Sequence, residues 1–448
     1  MKQYFIIFLT FFILGCSGGG GDSTPPSSPP AEPPVTPPVL PPAGAVSLPL
    51  LIIQVEFNDI TFTSTTLTWQ EKIFGSAVGQ LNHYYLEISQ NKFLFIPANE
   101  SESSVNDGII KIRVNQNHIQ TLGANFSNYT AFANLLFEAL TLADPYIDFA
   151  AYDTNKNAAI DVNELQIMFL VAGGEEATGV NPGIWAHQSC INGVSLDGKA
   201  LMQCGNGTYT AFGEHHFSLN GPDAGIGIIA HELGHGVFNL PDLYDRDLSS
   251  EGIGNFGLMG GGSWGFQAGQ IPGYTPAHMS AWTKMQIGFS TPALITSSTA
   301  NLALDATHLQ SYQALRLNTQ DPNEYFLVEN RSSLGYDAGL YILDEAPFQG
   351  GLAIWHIDET QSHNDNENQK LVDLEEADGF LLDKALFPPN QGDRSNLFYA
   401  GNSATPYTGT FTHNSTPSNS DLYSGADTNI SITNISAPGP VMYLDLSF

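Results

Sequence analysis

Between Ile226 and Phe238 the chain reads Ile-Gly-Ile-Ile-Ala-His-Glu-Leu-Gly-His-Gly-Val-Phe, an apolar run broken by two histidines and one glutamate. On a helix, residues four apart share one face, so His231 and His235 point the same way. Their Cβ atoms lie about 6 Å apart, close enough to share one ion. Zinc is the natural candidate, because neutral imidazole is among its preferred ligands. Glu232 leans to the side of that face, too far round to ligate but near enough to reach a water at the metal. Two ligands and one general base is the division of labour of a zinc peptidase. Ile226, Ile228, Ile229, Val237 and Phe238 require this helix to be buried. Ionisable groups do not sit inside a buried helix without a reason.

The two ends of the run bear on the site. Phe238-Asn239-Leu240-Pro241 stops the helix: Asn tolerates the left-handed C-terminal position, and Pro cannot continue it. A residue just past the turn can swing under the histidine pair and complete a three-ligand site. Asp242 is placed to do this, with Asp245 and Glu251 as alternatives; Glu251 lies in Gly-rich sequence that reads as loop. At the other end, Gly221-Pro222-Asp223 marks a turn, with Asp223 expected as the N-cap.

The N-terminus indicates export. Lys2 precedes an apolar run from Tyr4 to Leu14 that is too short to span a bilayer. Ile13-Leu14-Gly15-Cys16 resembles a bacterial lipobox, which implies removal of residues 1–15 and lipid on Cys16. Residues 16–45, rich in Gly, Pro and Ser, cannot build a core and read as a tether. The chain is thus expected to be an exported bacterial lipoprotein of the outer membrane or cell surface, touching membrane through its anchor alone. With Cys16 lipidated, Cys190 and Cys204 remain as a pair and are expected to form a disulfide in an oxidising compartment.

Folded sequence begins near Val46. Leu50 to Phe57, Phe93 to Ile96, Ile109 to Val114 and Leu165 to Val171 read as strands. Val78 to Ser89 and Tyr129 to Ala143 have helical spacing. The mixture predicts an α+β catalytic unit over 46–292, a mixed sheet with helices packed on it, followed by a β-rich region over 293–448. Within the first unit, residues 153–164 match the EF-hand calcium loop at most positions. Asp153, Asn155, Asn157, Asp161 and Glu164 offer oxygens, and Ala159 offers its carbonyl. The departure is Ala158, where Gly usually permits the sharp turn. An acidic band that includes Asp365, Glu367, Asp373, Glu375 and Asp383 is a second place where calcium or a solvated loop is expected.

Forty-five acidic residues against fourteen basic ones give a net charge of −31. That excludes a general nucleic-acid binder, which needs Lys and Arg for phosphate. It suits a soluble extracytoplasmic protein, expected here as a monomer.

His231-Glu232-Leu233-Gly234-His235 followed by Leu240-Pro241-Asp242-Leu243-Tyr244-Asp245 resembles the immune-inhibitor-A family of bacterial secreted zinc metallopeptidases. Gly257-Leu258-Met259-Gly260-Gly261-Gly262-Ser263-Trp264 is similar to that family's Met-containing turn. The stretches 276–285, 324–331 and 351–359 are similar to later segments of it. The resemblance implies a metzincin-like domain with His231, His235 and Asp242 on zinc, Glu232 as base and Met259 as structural support. Many members have Gly three residues after the second His and reach the Asp one residue sooner; here that position is Phe238. The chemistry expected is zinc-dependent cleavage of protein or peptide substrates. The rival expectation is a surface binding protein of the same fold that keeps the metal without catalysis, against which Glu232 stands.

Overall fold

The computed structural model describes residues 41–120, 129–379, 381–386 and 390–448. The expected signal segment, Cys16 and most of the tether lie outside the described residues. Strand β1 (Val46–Glu56) sets the plan. It is apolar on both faces: Leu48, Leu50 and Ile52 enter one core, while Leu51, Ile53 and Val55 enter another. A strand with no polar face belongs in a parallel sheet covered on both sides. Accordingly β2 (Phe93–Pro97) runs parallel to the first half of β1, β3 (Ile109–Arg113) to its second half, and β4 (Gln166–Glu175) along the other edge. β5 (Gly183–Ile184) pairs with the end of β4. The sheet continues through β9 (Tyr209–His215), parallel to β4, to β6 (His187–Ser189), an antiparallel edge strand. A short ribbon, β7 (Ser195–Leu196) and β8 (Lys199–Ala200), lies between β6 and β9 in sequence.

Helices fill both faces. Leu135, Leu136, Ala139 and Leu140 of α3 (Tyr129–Ala143) cover one core with Ile53, Phe169 and Ala211 of the sheet. On the opposite face lie α1 (Thr66–Phe74), α2 (Leu81–Ile88) and α4 (Ile226–Phe238). Helix α1 is not among the elements expected from the sequence; its Thr65 N-cap accepts from the Thr68 N–H, and Trp69, Ile73 and Phe74 anchor it. The expected helix over 78–89 is shorter at its start, because Gln80 is the N-cap.

After α5 (Ala281–Gln286) the chain is β-rich, as expected. One sheet has the order β10 (Ala293–Leu294), β12 (Leu315–Asn318), β13 (Glu324–Arg331), β14 (Gly351–Asp358), β15 (Val372–Leu374). A smaller one has β11 (Thr299–Asp305), β17 (Val441–Ser447), β16 (Ser431–Thr433). These sheets do not enclose a core of their own. Phe326, Val328, Ile354 and Leu444 belong to the same continuous apolar cluster as Ile229, Ala230 and Leu233 of α4. The β-rich region therefore closes the far side of the core that α4 enters, and burying those apolar faces against each other is what holds the two parts together.

Candidate metal centre

Helix α4 buries Ile226, Ile229, Ala230 and Leu233 and turns His231 and His235 away from them. It ends at Asn239, which adopts a left-handed conformation (φ +53°). The Asn239 N–H bonds the His235 carbonyl at 3.0 Å, the single bond of a left-handed helix ending, and the Leu240 N–H reaches back to the Gly234 carbonyl at 3.3 Å. Asp223 is not the N-cap: Gly225 holds that position without a side-chain cap, and Asp223 lies two residues further out.

The turn brings Asp242 under the pair. Its Oδ1 lies 3.0 Å from His235 Nε2 and 3.3 Å from His231 Nε2, and the two Nε2 atoms are 3.1 Å apart. The left-handed Asn239 absorbs the longer path that follows Phe238. Asp245 does not compete, because its carboxylate caps its own loop and accepts from the Asp247 and Leu248 N–H groups and the Ser249 and Ser250 hydroxyls. Glu251 is likewise elsewhere, bonded to Gln391.

The protons at this triangle decide what it can hold. His231 Nδ1 lies 2.9 Å from the Leu258 carbonyl, and His235 Nδ1 lies 2.6 Å from the Leu240 carbonyl. A carbonyl only accepts, so both Nδ1 atoms carry the hydrogen and both neutral rings present a bare lone pair at Nε2. Asp242 Oδ1 is also an acceptor and is buried without a hydrogen-bond partner. Three acceptors thus converge with no donor between them, which is stable only around a cation. Tetrahedral zinc with bonds of about 2.0–2.1 Å places its ligands roughly 3.3 Å apart, which matches this triangle. The residues therefore fit the metal that the histidine spacing implies. In its absence a proton takes the position: burial pushes the His231 imidazolium down, but Asp242 and Glu232 outweigh burial and hold it at about 9. Burial would also raise the Asp242 carboxyl, yet the two imidazoles keep it far below the usual carboxylate range.

Glu232 is buried beside this triangle and raised by burial, with His231 and His235 opposing the shift. Its carboxylate accepts the backbone N–H of Gln188 on the edge strand β6. Met259 lies beneath the helix. A Cβ on Gly234 would stand 2.8 Å from the sulfur of buried Met259, so any other residue there would force the Met259 thioether to shift. The Met259 carbonyl accepts from the Leu243 N–H, which ties the turn to the segment that carries Asp242.

Several contributors carry no sequence signal, because they act through backbone or burial. The carbonyls of Leu258 and Leu240 fix both imidazole tautomers. Tyr244 stacks beside His231 (centroids 6.3 Å apart, planes 19°) and donates its hydroxyl to Asp242. Glu175, at the end of β4, accepts from the Ala177 and Ala186 N–H groups. Burial pushes its carboxyl up to about 8, with the charge of Glu232 adding to the shift. Tyr274 donates its hydroxyl to the Asp223 carbonyl.

The 153–164 loop is folded around its own acceptors. Asn155 and Asn157 donate their side-chain amides to Asp161 Oδ2 at 2.6 and 2.9 Å. Glu164 accepts from the Thr154, Asn155 and Asp161 N–H groups. Asp153 is paired with the Lys199 ammonium at 2.7 Å, a partner from β8 that the loop's sequence does not announce. Ala158 does adopt the left-handed conformation (φ +65°) that Gly would take there without strain. In the acidic band, Asp365 pairs with Arg246, and Asp373 and Asp383 share Lys370. Cys190 and Cys204 are joined in a disulfide.

The family model for the immune inhibitor A peptidase M6 catalytic domain matches residues 54–290, more than half of the chain. A search of curated proteins found no match.

Proposed function

The chain belongs to the immune inhibitor A family of M6 metallopeptidases, and on that footing we propose that it is a zinc-dependent endopeptidase acting on extracellular proteins or peptides. The observation that carries the reading is the triangle of bare acceptors at His231, His235 and Asp242, which needs a cation, with the unligated carboxylate of Glu232 next to it. When bound, zinc supplies Lewis acidity, polarising a carbonyl and acidifying water. The Leu258 and Leu240 carbonyls and the Tyr244 hydroxyl hold the three ligands in orientation, as outer partners of metal ligands do. Glu232 takes a proton from the attacking water and delivers it to the departing amine. Its raised carboxyl suits that exchange, since burial brings a carboxylate nearer to the pH at which it must both accept and release.

Replacing Glu232 by Gln keeps the shape of the side chain and removes the base. Metal analysis should then find zinc unchanged while casein cleavage falls by at least about a hundredfold. Retained cleavage would refute the assignment, and loss of zinc would mean that Glu232 is a ligand. The non-catalytic alternative predicts no cleavage by the wild-type chain at all.

For the 153–164 loop the proposal is calcium held by Asp153, Asn155, Asn157, Asp161 and Glu164, in competition with Lys199. For placement, the proposal is an exported lipoprotein anchored through Cys16, with the catalytic unit monomeric and held off the membrane by the 16–45 tether.

A further inference from the structure

A second group of metal-ligand residues stands where β9 leads into α4. One donor atom from each of Glu214, His215 and Asp223 lies within 4.8 Å of the others. The group closes the 216–222 loop: His215 bridges to Asp223 in antiparallel fashion, the His216 N–H bonds the Pro222 carbonyl, and the Ala224 N–H bonds the Glu214 carbonyl.

The hydrogen atoms at this group are fixed by its neighbours. Glu214 Oε1 accepts the N–H and hydroxyl of both Thr63 and Ser64, while its other oxygen, equally buried, accepts nothing. Thr63 spends its single hydroxyl hydrogen on Glu214, so the 2.7 Å contact between that hydroxyl and His215 Nε2 requires Nε2 to be the donor. His215 Nε2 also faces Glu214 Oε1 at 3.2 Å. A neutral His215 therefore presents a bare lone pair at Nδ1. That atom is buried and without a hydrogen-bond partner, and the His215 side chain is only 4% exposed. Its nearest charged neighbour is Asp223 Oδ1, at 3.7 Å.

Two acceptors face each other at a distance too long for a hydrogen bond. A divalent first-row ion with bonds of about 2.0–2.2 Å to each would span it. The Glu214 carboxylate against His215 Nε2 is the outer partner that metal-bound imidazole usually has. Of the two carboxylates, one is balanced by Lys72, whose ammonium lies 4.0 Å from Asp223 Oδ2. Without an ion, the other is met by a proton on His215: burial pushes the imidazolium down, but Glu214, Asp223 and the Pro222 carbonyl outweigh burial and raise it. A pocket of about 420 Å³, lined by Asp59, Thr63, Glu214 and His215 among others, adjoins the group and has room for water to complete a coordination shell.

We propose that His215 Nδ1 and Asp223 Oδ1, with Glu214 as the outer partner of the imidazole and water completing the shell, hold a second, structural zinc-class divalent ion, distinct from the His231–His235–Asp242 centre. The imidazole in the donor set selects a transition ion over calcium or magnesium, which take oxygen. An ion here fastens the 63–64 strap, the end of β9 and the approach to α4 to one another, and so fixes where the metal helix begins.

The test is a metal count on the full chain, stripped with chelator, dialysed against zinc and measured by plasma mass spectrometry. The wild type is expected to hold about two zinc ions per chain. His215→Asn and Asp223→Asn should each lose one of them, together with part of the zinc-induced rise in melting temperature, and keep the one at His231. His231→Asn should lose the other ion and keep this one. The proposal is overturned if a folded Asp223→Asn chain, checked by circular dichroism, keeps the wild-type count. Asp223 is partly exposed, so that variant decides even where His215→Asn does not fold. A single wild-type ion that is lost only in His231→Asn also overturns it. A single ion lost only in the His215 and Asp223 variants upholds this site and instead removes the catalytic reading.

Discussion

Replacing Asp337 by Asn should destabilise the protein severely, although Asp337 contacts none of His231, His235 and Asp242. Arg331 is fully buried and forks onto Asp337, with Nε 2.8 Å from Oδ2 and Nη2 on Oδ1. Asp337 also accepts from the Thr307 hydroxyl at 2.6 Å and the His278 N–H at 3.1 Å. Glu329 and Lys284 complete the group, both buried. Two positive and two negative groups balance, and the asparagine variant would leave one positive charge over. Breaking a buried pair from one side costs about 3–5 kcal/mol. Lys284 is already lowered by burial, so it can shed a proton and relieve part of the excess, which puts the expectation near about 3 kcal/mol. Denaturant melts of both proteins at equal pH measure this. A cost below about 1 kcal/mol would refute the reasoning, because the group would then not be acting as a desolvated pair. The pH dependence gives an independent reading. Burial would raise the Asp337 carboxyl, but Arg331 holds it below the ordinary range. Its contribution is thus complete above the unfolded value of about 3.9 and is lost as pH falls beneath it. The asparagine variant should lack that part of the acid limb. In a double-mutant cycle with Arg331→Met, the coupling should recover much of the single-variant cost.

Other outcomes follow from the same contacts. Because stripped His231 holds a proton up to about 9, zinc binding must expel it. Zinc affinity measured against a competing chelator should weaken as pH is lowered below about 9, by up to about tenfold per unit; a flat profile between about pH 7 and 9 would contradict this. Gly234→Ala places a Cβ 2.8 Å from the Met259 sulfur. Overpacking of about 1–3 kcal/mol should exceed the gain of about 1 kcal/mol in helix propensity, so a urea melt that shows stabilisation would count against the close approach. Lys199→Met frees Asp153 of its ammonium and should increase the calcium-induced rise in melting temperature; an unchanged rise would mean that the loop holds no calcium.

What is legible in the sequence is what the side chains themselves determine. The apolar runs at 50–57 and 165–171 announce buried strands, and the four-residue interval announces a shared ion between His231 and His235. The Asn239–Pro241 turn announces that something past it swings back, and Asp242 does. The spacing of oxygen-bearing side chains over 153–164 is legible, but the pairing of Asp153 with Lys199 is not, since that contact joins residues far apart in sequence. Asp223 suits an N-cap by residue type alone. The fold gives that position to Gly225 and sets Asp223 beside His215. Helix α1 is hard to see because it is only nine residues long and its start is marked by nothing more than a threonine cap.

The hidden part explains why the β-rich region and the peptidase unit have to fold as one core. His231 and His235 are each oriented by a backbone carbonyl, and a carbonyl has no residue identity to read. The Leu258 carbonyl that fixes His231 belongs to a Gly-rich turn with few side chains to anchor it. That turn is held from outside: Arg331 on β13 donates to the Phe256 carbonyl at 2.6 Å, two residues before Leu258. From the other side, the Leu258 N–H bonds the His278 carbonyl, and the His278 N–H bonds Asp337. The ion group of Arg331 and Asp337 therefore grips both strands of the support beneath His231. A glycine-rich floor can approach the metal helix as closely as Gly234 and Met259 do only if its rigidity comes from elsewhere. Here that rigidity comes from a strand far along the chain, in the β-rich region.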